Sequence, residues 1–397
     1  MWPRFTFSDI RTIGYYLGVL VLFSTFIYVV PFFVALGMGE WEPAARYLVA
    51  IGICLFVGSA LRFMRIRPVR LNRQQALAVT GLAWIVLAFF ASIPLFGSGH
   101  YASYLDALFD GISGLTTTGA ATIVDLDHLS TADNMFRFMM HFLGGLGLVV
   151  VALALGLFGK SGGSTMYASE GRSEHVIPNV VQTTRFITKM ALGYIVVSTV
   201  ILGIILAIKG MEPSRAFFHG LWLATSGFIT GGFAPMSDSV GYYHSTVVEV
   251  ILMVLMIMGA INFTLHSEAW KGRLEPFFKD IEIRTMVIWV LAMLVVFISS
   301  LSVSSQFTSL PALLRRGLFM VVSAFTTTGF QNVTTNQMAV VFSSGAFLTL
   351  GIFMAVGGGA GSTAGGIKFS RVGLILKSII ATMKQVLAPD SARTCFI

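Results

Sequence analysis

Three short polar segments interrupt an otherwise apolar sequence: GLTTTGAATI at 114–123, GFITGGFAPM at 227–236 and AFTTTGFQNV at 324–333. Each offers the same chemistry. A cation crossing a bilayer must exchange its hydration shell for protein oxygens, and extended backbone supplies them when its carbonyls point at one axis. Glycine accepts the dihedrals this needs and lets backbones approach closely, while threonine adds a hydroxyl that lines the path or bonds neighbouring backbone. The candidate ligating positions are Thr117, Thr118 and Gly119, then Thr230, Gly231 and Gly232, then Thr327, Thr328 and Gly329. None is charged, which argues against an anion path. A lone TTTG is ordinarily a turn, but here three copies stand in register. They align without a gap as ALFDGISGLTTTGA (107–120), GLWLATSGFITGGF (220–233) and GLFMVVSAFTTTGF (317–330), and Ser113, Ser226 and Ser323 correspond.

A second unusual stretch, GGGAGSTAGGIKFSR, runs from 357 to 371. Its glycines 357, 358, 359, 361, 365 and 366, with Ser362 and Thr363 between them, oppose a stable helix. It is not a phosphate-binding P-loop, because Ile367 separates Gly366 from Lys368 and Phe369 follows the lysine. Histidines 100, 128, 141, 175, 219, 244 and 266 lack ligand spacing, so no metal other than a conducted ion is expected. Cys54 and Cys395 suggest neither a disulfide framework nor a metal site. An enzyme would need a cluster of nucleophile, base or metal ligands, and none is legible. GGLG at 144–147 reads as small residues for close helix packing, not as a dinucleotide fingerprint. Arg137 and Glu249 lie in or beside apolar runs, where ionisable groups are usually functional; Arg137, near a span end, is expected to snorkel.

The elements that must position these residues are transmembrane helices. The 397 residues are 55% hydrophobic and 11% charged, with a mean hydropathy of +0.82; a soluble domain carries about 25% charged residues. Apolar runs predict spans near 13–36, 44–61, 75–97, 134–158, 188–208, 246–266, 285–303 and 337–356, with a further helix near 372–387. The first run is too long for a signal-peptide core and has no small-residue cleavage site after it, so it reads as a retained span. Each Thr-Gly segment follows an apolar stretch of two to three helical turns, too short to span, and precedes a full span. Two spans separate successive copies, so all three enter from one face as re-entrant loops about an axis along the membrane normal. The formal charge of +8 reports topology rather than nucleic acid. Most Lys and Arg residues, among them Arg62, Arg65, Arg67, Lys271, Arg273 and Lys377, fall on one side, placing the N-terminus in the cytoplasm. Opposite them, the 99–133 segment carries Asp106, Asp110, Asp125, Asp127 and Asp133. Two readings stay open there: a cation-attracting mouth or a solvated acidic loop.

Taken together, the Thr-Gly copies, HFLGGLGLVVVALAL (141–155), INFTLHSEAWKGRLEPFFKDIEIR (261–284) and the 357–371 stretch resemble the Trk/Ktr/HKT superfamily of potassium transporters, in particular the membrane subunit of bacterial Trk systems. The likeness covers nearly the whole chain. It implies an all-α polytopic membrane protein of parallel helix–pore-loop–helix repeats around a central ion pathway, as in potassium channels. It also implies potassium selectivity at Gly119, Gly232 and Gly329; a serine at the first of these goes with sodium permeation in some plant relatives. The stretch from Gly357 to Lys368 becomes an intramembrane gate loop. Potassium is then the transported ion, with no cofactor. Partners would be membrane lipid, a second copy and a cytosolic nucleotide-binding regulatory subunit, with no nucleic acid, and the location would be the bacterial inner membrane. The implied organisation is an N-terminal two-helix segment (1–73), pore repeats at 74–187, 188–284 and 285–388, and a cytoplasmic tail at 389–397. The family has four repeats and three are present, so a truncation after KQVLAPDSARTCFI is the expectation. A Na⁺- or H⁺-coupled secondary transporter is the alternative; it predicts inverted repeats and an acidic intramembrane site.

Overall fold

The computed structural model describes residues 6–64, 72–147, 180–302, 309–334, 338 and 342–387. Within them the chain is helical, and the only β pairing is a bridge between Val356 and Ile367. The helices are α1 (Phe7–Ser24), α2 (Phe26–Met38), α3 (Trp41–Arg62), α4 (Arg73–Phe96), α5 (Tyr104–Leu115), α6 (Thr131–Leu146), α7 (Val180–Ile208), α8 (Pro213–Phe228), α9 (Thr246–Ala260), α10 (Phe263–Trp270), α11 (Glu275–Lys279), α12 (Ile281–Ser302), α13 (Leu310–Phe325), α14 (Ser344–Ala355) and α15 (Phe369–Leu387). Contacts divide the chain into two units, 1–256 with 328–334, and 257–327 with 335–397.

Five helical stretches among the described residues are long and apolar enough to cross a membrane: Phe7–Met38, Trp41–Arg62, Gln74–Phe96, Gln182–Ile208 and Ile281–Leu301. Each coincides with an expected span. Their ends are capped where the sequence allows. Thr6 and Asp9 bond reciprocally at the start of α1, and Asn72 and Gln75 do the same at α4. These capping boxes satisfy backbone N–H groups that a helix start would leave bare. Apolar side chains such as Leu48, Val49 and Phe56 on α3, or Ile288, Leu291 and Val295 on α12, are exposed, as lipid-facing helices require.

Three expectations change. The span 246–266 is two helices, broken at Ile261–Asn262, because the Asn262 side chain accepts the Thr264 N–H at 2.8 Å and restarts the helix as α10. Of the span 337–356, the described residues are helical at 338 and over Ser344–Ala355, where Ser343 caps a new helix start, and 337 and 339–341 lie outside the described residues. The short helices α5, α8 and α13 have 12, 16 and 16 residues, more than two to three turns. At 1.5 Å per residue they still measure about 18–24 Å and fall short of the ~30 Å hydrocarbon core. The later part of span 134–158, the tail 389–397, and Arg65 and Arg67 lie outside the described residues.

In the first unit, α6 is fixed at its start from several sides. Glu40 accepts the N–H groups of Thr131 and Ala132 at 2.8 and 3.0 Å, and Ser130 Oγ accepts that of Asp133. Asp133 is itself buried, paired with Arg46 at 2.9 Å and accepting from the Tyr47 hydroxyl at 2.6 Å. Further along α6, Met135 and Phe138 join Trp222 of α8 and Phe233 in one buried cluster, with the Phe138 and Trp222 rings stacked at 5.7 Å. In the second unit, Phe297, Phe319, Phe353 and Phe369 are each buried.

Candidate cation site

The helices α5, α8 and α13 end in the same way. After the cap residues Thr116, Ile229 and Thr326 come Thr117, Thr230 and Thr327, with φ of 56°, 54° and 56°. In the first two copies the hydrogen bonds are those of a Schellman ending. Thr117 N–H donates to Gly114 O and Thr118 N–H to Ser113 O at 2.9 Å; Thr230 donates to Gly227 O and Gly231 to Ser226 O at 2.8 Å. In the third, Thr327 donates to Ala324 O at 2.9 Å. That left-handed position normally belongs to glycine. A β-branched residue there is a genuine outlier, costing on the order of 1–3 kcal/mol each. Two residues on, Gly119, Gly232 and Gly329 again have positive φ, at 77°, 85° and 92°.

The first unit brings these three glycines together, backbone against backbone. A Cβ on Gly119 would lie 2.3 Å from Gly231 O and 3.0 Å from Gly232 Cα; one on Gly232 would lie 2.0 Å from Thr328 O and 3.4 Å from Gly329 Cα. For Gly329 the nearest atom is Gly232 Cα at 4.0 Å. The carbonyls of Gly231 and Thr328 therefore pass beside the neighbouring segments. Threonine hydroxyls serve the backbone: Thr116 Oγ1 donates to Ile112 O, Thr230 Oγ1 to Ile229 O and Thr326 Oγ1 to Val322 O. No group of three or more His, Cys, Asp and Glu converges among the described residues, so what this place offers an ion is neutral oxygen.

Behind the first two segments stands α6. A Cβ on Gly144 would lie 1.7 Å from Leu115 O, and one on Gly145 2.0 Å from Ile229 Cγ2, so the GGLG motif packs a helix against two Thr-Gly turns. Arg137 does not snorkel. It is fully buried, with Nε 3.8 Å from Asp110 Oδ2, Nη1 donating to Ala234 O at 3.2 Å, and its guanidinium 4.1 Å from the Phe233 ring centre. The cause is Asp110, which the α5 turn buries and which also accepts from the Tyr101 hydroxyl (2.8 Å) and Thr122 N–H (3.0 Å). With Asp133 buried as well, two of the five acidic residues of segment 99–133 serve packing instead of a mouth. Asp125 and Asp127 are exposed. Asp127 accepts from Ser237 N–H and Oγ; the His128 imidazole, hydrogen-bonded to the Asp125 carboxylate at 2.9 Å, is raised above its ordinary pKa by that bond, and Asp125 is lowered by it.

In the second unit the glycine-rich stretch is a closed, tethered loop. Its neck is the Val356–Ile367 bridge: Gly357 N–H donates to Ile367 O, and Ile367 N–H to Ala355 O. Gly357 sits 2.2 Å, as a notional Cβ, from Phe325 O, matching Gly144 against Leu115 O. The break after α9 frees carbonyls that the loop uses. Gly359 N–H donates to Ala260 O at 2.7 Å, and the Thr363 hydroxyl and N–H donate to Gly259 O. The buried Glu282 carboxylate accepts Ala360 N–H at 3.0 and 3.2 Å, and Gly365 N–H donates to Thr327 Oγ1 at 2.7 Å. Ser362 Oγ bonds Gly359 O, Lys368 Nζ donates to Ala364 O, and Gly358, Gly361 and Gly366 take positive φ. Sequence reasoning missed Glu282 and His141. The first sits in a charged connection, and nothing in a scattered set of histidines singles out the second.

A family model described as TrkH, cation transport protein, matches residues 45–395. The chain is 32% identical over 395 residues to the Trk system potassium uptake protein TrkH of Halomonas elongata, covering 96% of this chain and 78% of that protein. It is 29% identical over 391 residues to an uncharacterized cation transporter of Methanocaldococcus jannaschii, covering 98% and 76%. The crystal structure of the potassium transporter TrkH from Vibrio parahaemolyticus matches with a TM-score of 0.78 at 27% identity, over 97% of this chain and 78% of that one.

Proposed function

The chain belongs to the TrkH family of cation transport proteins, and on that premise we propose that it takes up potassium ions across a membrane. The selectivity filter is built from Thr117, Thr118, Gly119, Thr230, Gly231, Gly232, Thr327, Thr328 and Gly329, and the loop from Gly357 to Lys368 gates flow. One observation carries this reading: three helix endings, each with a threonine strained into positive φ, lead to Gly119, Gly232 and Gly329 in backbone contact. Carbonyl-lined, uncharged surroundings suit a dehydrated monovalent cation. The loop's ties to Thr327 and to the freed carbonyls of Gly259 and Ala260 support a gating role. Repeats at 74–187, 188–284 and 285–388, a bacterial inner-membrane location with a cytoplasmic N-terminus, a homodimer and a nucleotide-binding regulatory subunit complete the proposal. The coupled-transporter alternative is not favoured by the similarity to Trk potassium uptake proteins; of the buried carboxylates, Asp110 and Asp133 are paired with Arg137 and Arg46, and Glu282 accepts the Ala360 N–H.

The test is ion selectivity in a potassium-uptake-deficient bacterium. Gly232→Ser and Gly329→Ser should both lower potassium over sodium discrimination. A Cβ added at Gly232 meets a carbonyl oxygen at 2.0 Å, whereas one added at Gly329 meets nothing nearer than 4.0 Å. Both positions have positive φ, so either serine is strained, but the first variant carries the clash as well and should lower expression of folded protein more than the second. Unchanged selectivity in both would refute the assignment.

A further inference from the structure

Immediately before the shared glycine, the second segment departs from the other two. Thr118 and Thr328 stand where the second segment has Gly231. Backbone conformation does not demand that glycine, because Gly231 is absent from the residues with positive φ, unlike its neighbours Thr230 and Gly232. Space does. A Cβ at 231 would lie 2.3 Å from His141 Nδ1, 2.6 Å from Cε1 and 2.8 Å from Cγ. Real Cβ atoms do not approach that closely, and three atoms of one ring press on the same point.

The imidazole has little room to retreat. It is fully buried, stacked on Phe233 at 4.2 Å and 15°, and set edge-on to Phe138, which is itself stacked on Trp222. Its nitrogens make no hydrogen bond among the described residues, so what it gives the loop is a surface. Arg137, His141 and Gly145 follow one another at four-residue spacing and share one face of α6. All three meet the second segment: at Phe233 and Ala234, at Gly231, and at Ile229. The carbonyl of Gly231, in turn, is the atom that abuts Gly119.

We propose that His141 is a positioning residue for ion selectivity: its ring takes the space that a threonine would need at 231, and so fixes the Gly231 carbonyl against the first segment. This rests on the filter reading above and deepens it. The pair is interlocked, so a side chain at 231 is tolerated only when the ring is removed.

The experiment compares Gly231→Thr, His141→Ala and the double variant in the full chain, reading the potassium-to-sodium flux ratio in cells and the melting temperature of the detergent-purified protein. Gly231→Thr alone should cut the flux ratio by about tenfold and lower the melting temperature. His141→Ala should lower the ratio less. The double variant should recover both readouts relative to Gly231→Thr. If the double variant is no better than Gly231→Thr, or if Gly231→Thr is neutral, the interlock is refuted. Gly329→Ser separates this from the filter reading. A shifted ratio in Gly329→Ser without rescue in the double variant refutes the pair alone. An unmoved ratio in every variant refutes the filter, and the melting-temperature cycle still decides whether the pair is interlocked.

Discussion

Removing the guanidinium of Arg137 should be among the most damaging single changes in the first unit. The side chain is fully buried and 3.8 Å from Asp110. At an effective dielectric of 20 that separation corresponds to about 4 kcal/mol of attraction. Arg137→Met strands a buried carboxylate, for which the usual cost is about 3–5 kcal/mol, and leaves the Ala234 carbonyl without its donor, about 1–3 kcal/mol more. Asp110 keeps its bonds from Tyr101 and Thr122, so the loss should fall toward the lower end, about 4–5 kcal/mol in total. Asp110→Asn should cost about 3 kcal/mol for the mirrored reason.

The double variant Asp110→Asn/Arg137→Met removes both charges, and buried pairs replaced by neutral groups of similar size are often close to neutral. Its loss should therefore be about 1–2 kcal/mol, the share of the Ala234 bond and the contact with Phe233. The coupling energy in the cycle is then several kcal/mol, well above the ~0.5 kcal/mol that independent sites show. Denaturant melting followed by tryptophan fluorescence is a suitable assay, because Trp222 stacks on Phe138 in the same cluster. Additive losses, or an Arg137→Met protein that melts like the parent, would show that this charge pair does not hold the second Thr-Gly segment.

Two further outcomes follow. Glu282→Gln replaces a charge-assisted bond to Ala360 N–H with a neutral one; the difference of about 1 kcal/mol should speed amide exchange across 357–366 roughly fivefold, and unchanged exchange there would remove Glu282 as a tether. The Asp125–His128 contact is exposed and should act on pH. Because His128 is raised in the fold, its small contribution is complete below the ordinary histidine value and is lost as pH rises through the raised one. NMR titration should show the raised His128 falling back in Asp125→Asn, and an ordinary value in the parent would contradict the contact.

Much of the scaffold was legible because hydropathy is a sum over many residues. Single side chains inside Trp41–Arg62 or Ile281–Leu301 could vary without hiding the span. The broken helix at Asn262 was not legible. INFTLH continues an apolar run, and one asparagine bonding Thr264 outweighs the pattern locally. The Thr-Gly segments stood out by repetition, but repetition says nothing of what presses on them. Arg137 and Asp110 lie 27 residues apart on different helices, and only the crossing of α5 with α6 makes them partners. A window centred on Arg137 sees a cation near a span end and reads snorkelling. The boundaries that hydropathy left loose are set in the fold by the caps Thr6–Asp9 and Asn72–Gln75, which the sequence reading did not use.

The strain at the threonines has a use that glycine there would not need to explain. In each segment the sign of φ alternates: positive at Thr117 and Gly119 with Thr118 between them, and likewise at 230 and 232, and at 327 and 329. An ordinary strand points successive carbonyls to opposite sides. The alternating sign of φ departs from that regular strand geometry at every copy. A glycine at the first of these positions would reach the same dihedral at less cost in the fold, yet it would leave the turn free to relax. Threonine supplies a stiff, branched side chain whose hydroxyl bonds backbone, as Thr230 does with Ile229 and Thr327 with Gly365. On the filter reading proposed above, the cost of on the order of 1–3 kcal/mol per threonine goes into holding carbonyls in place, with Gly144 packed on Leu115 and His141 on Gly231 behind them.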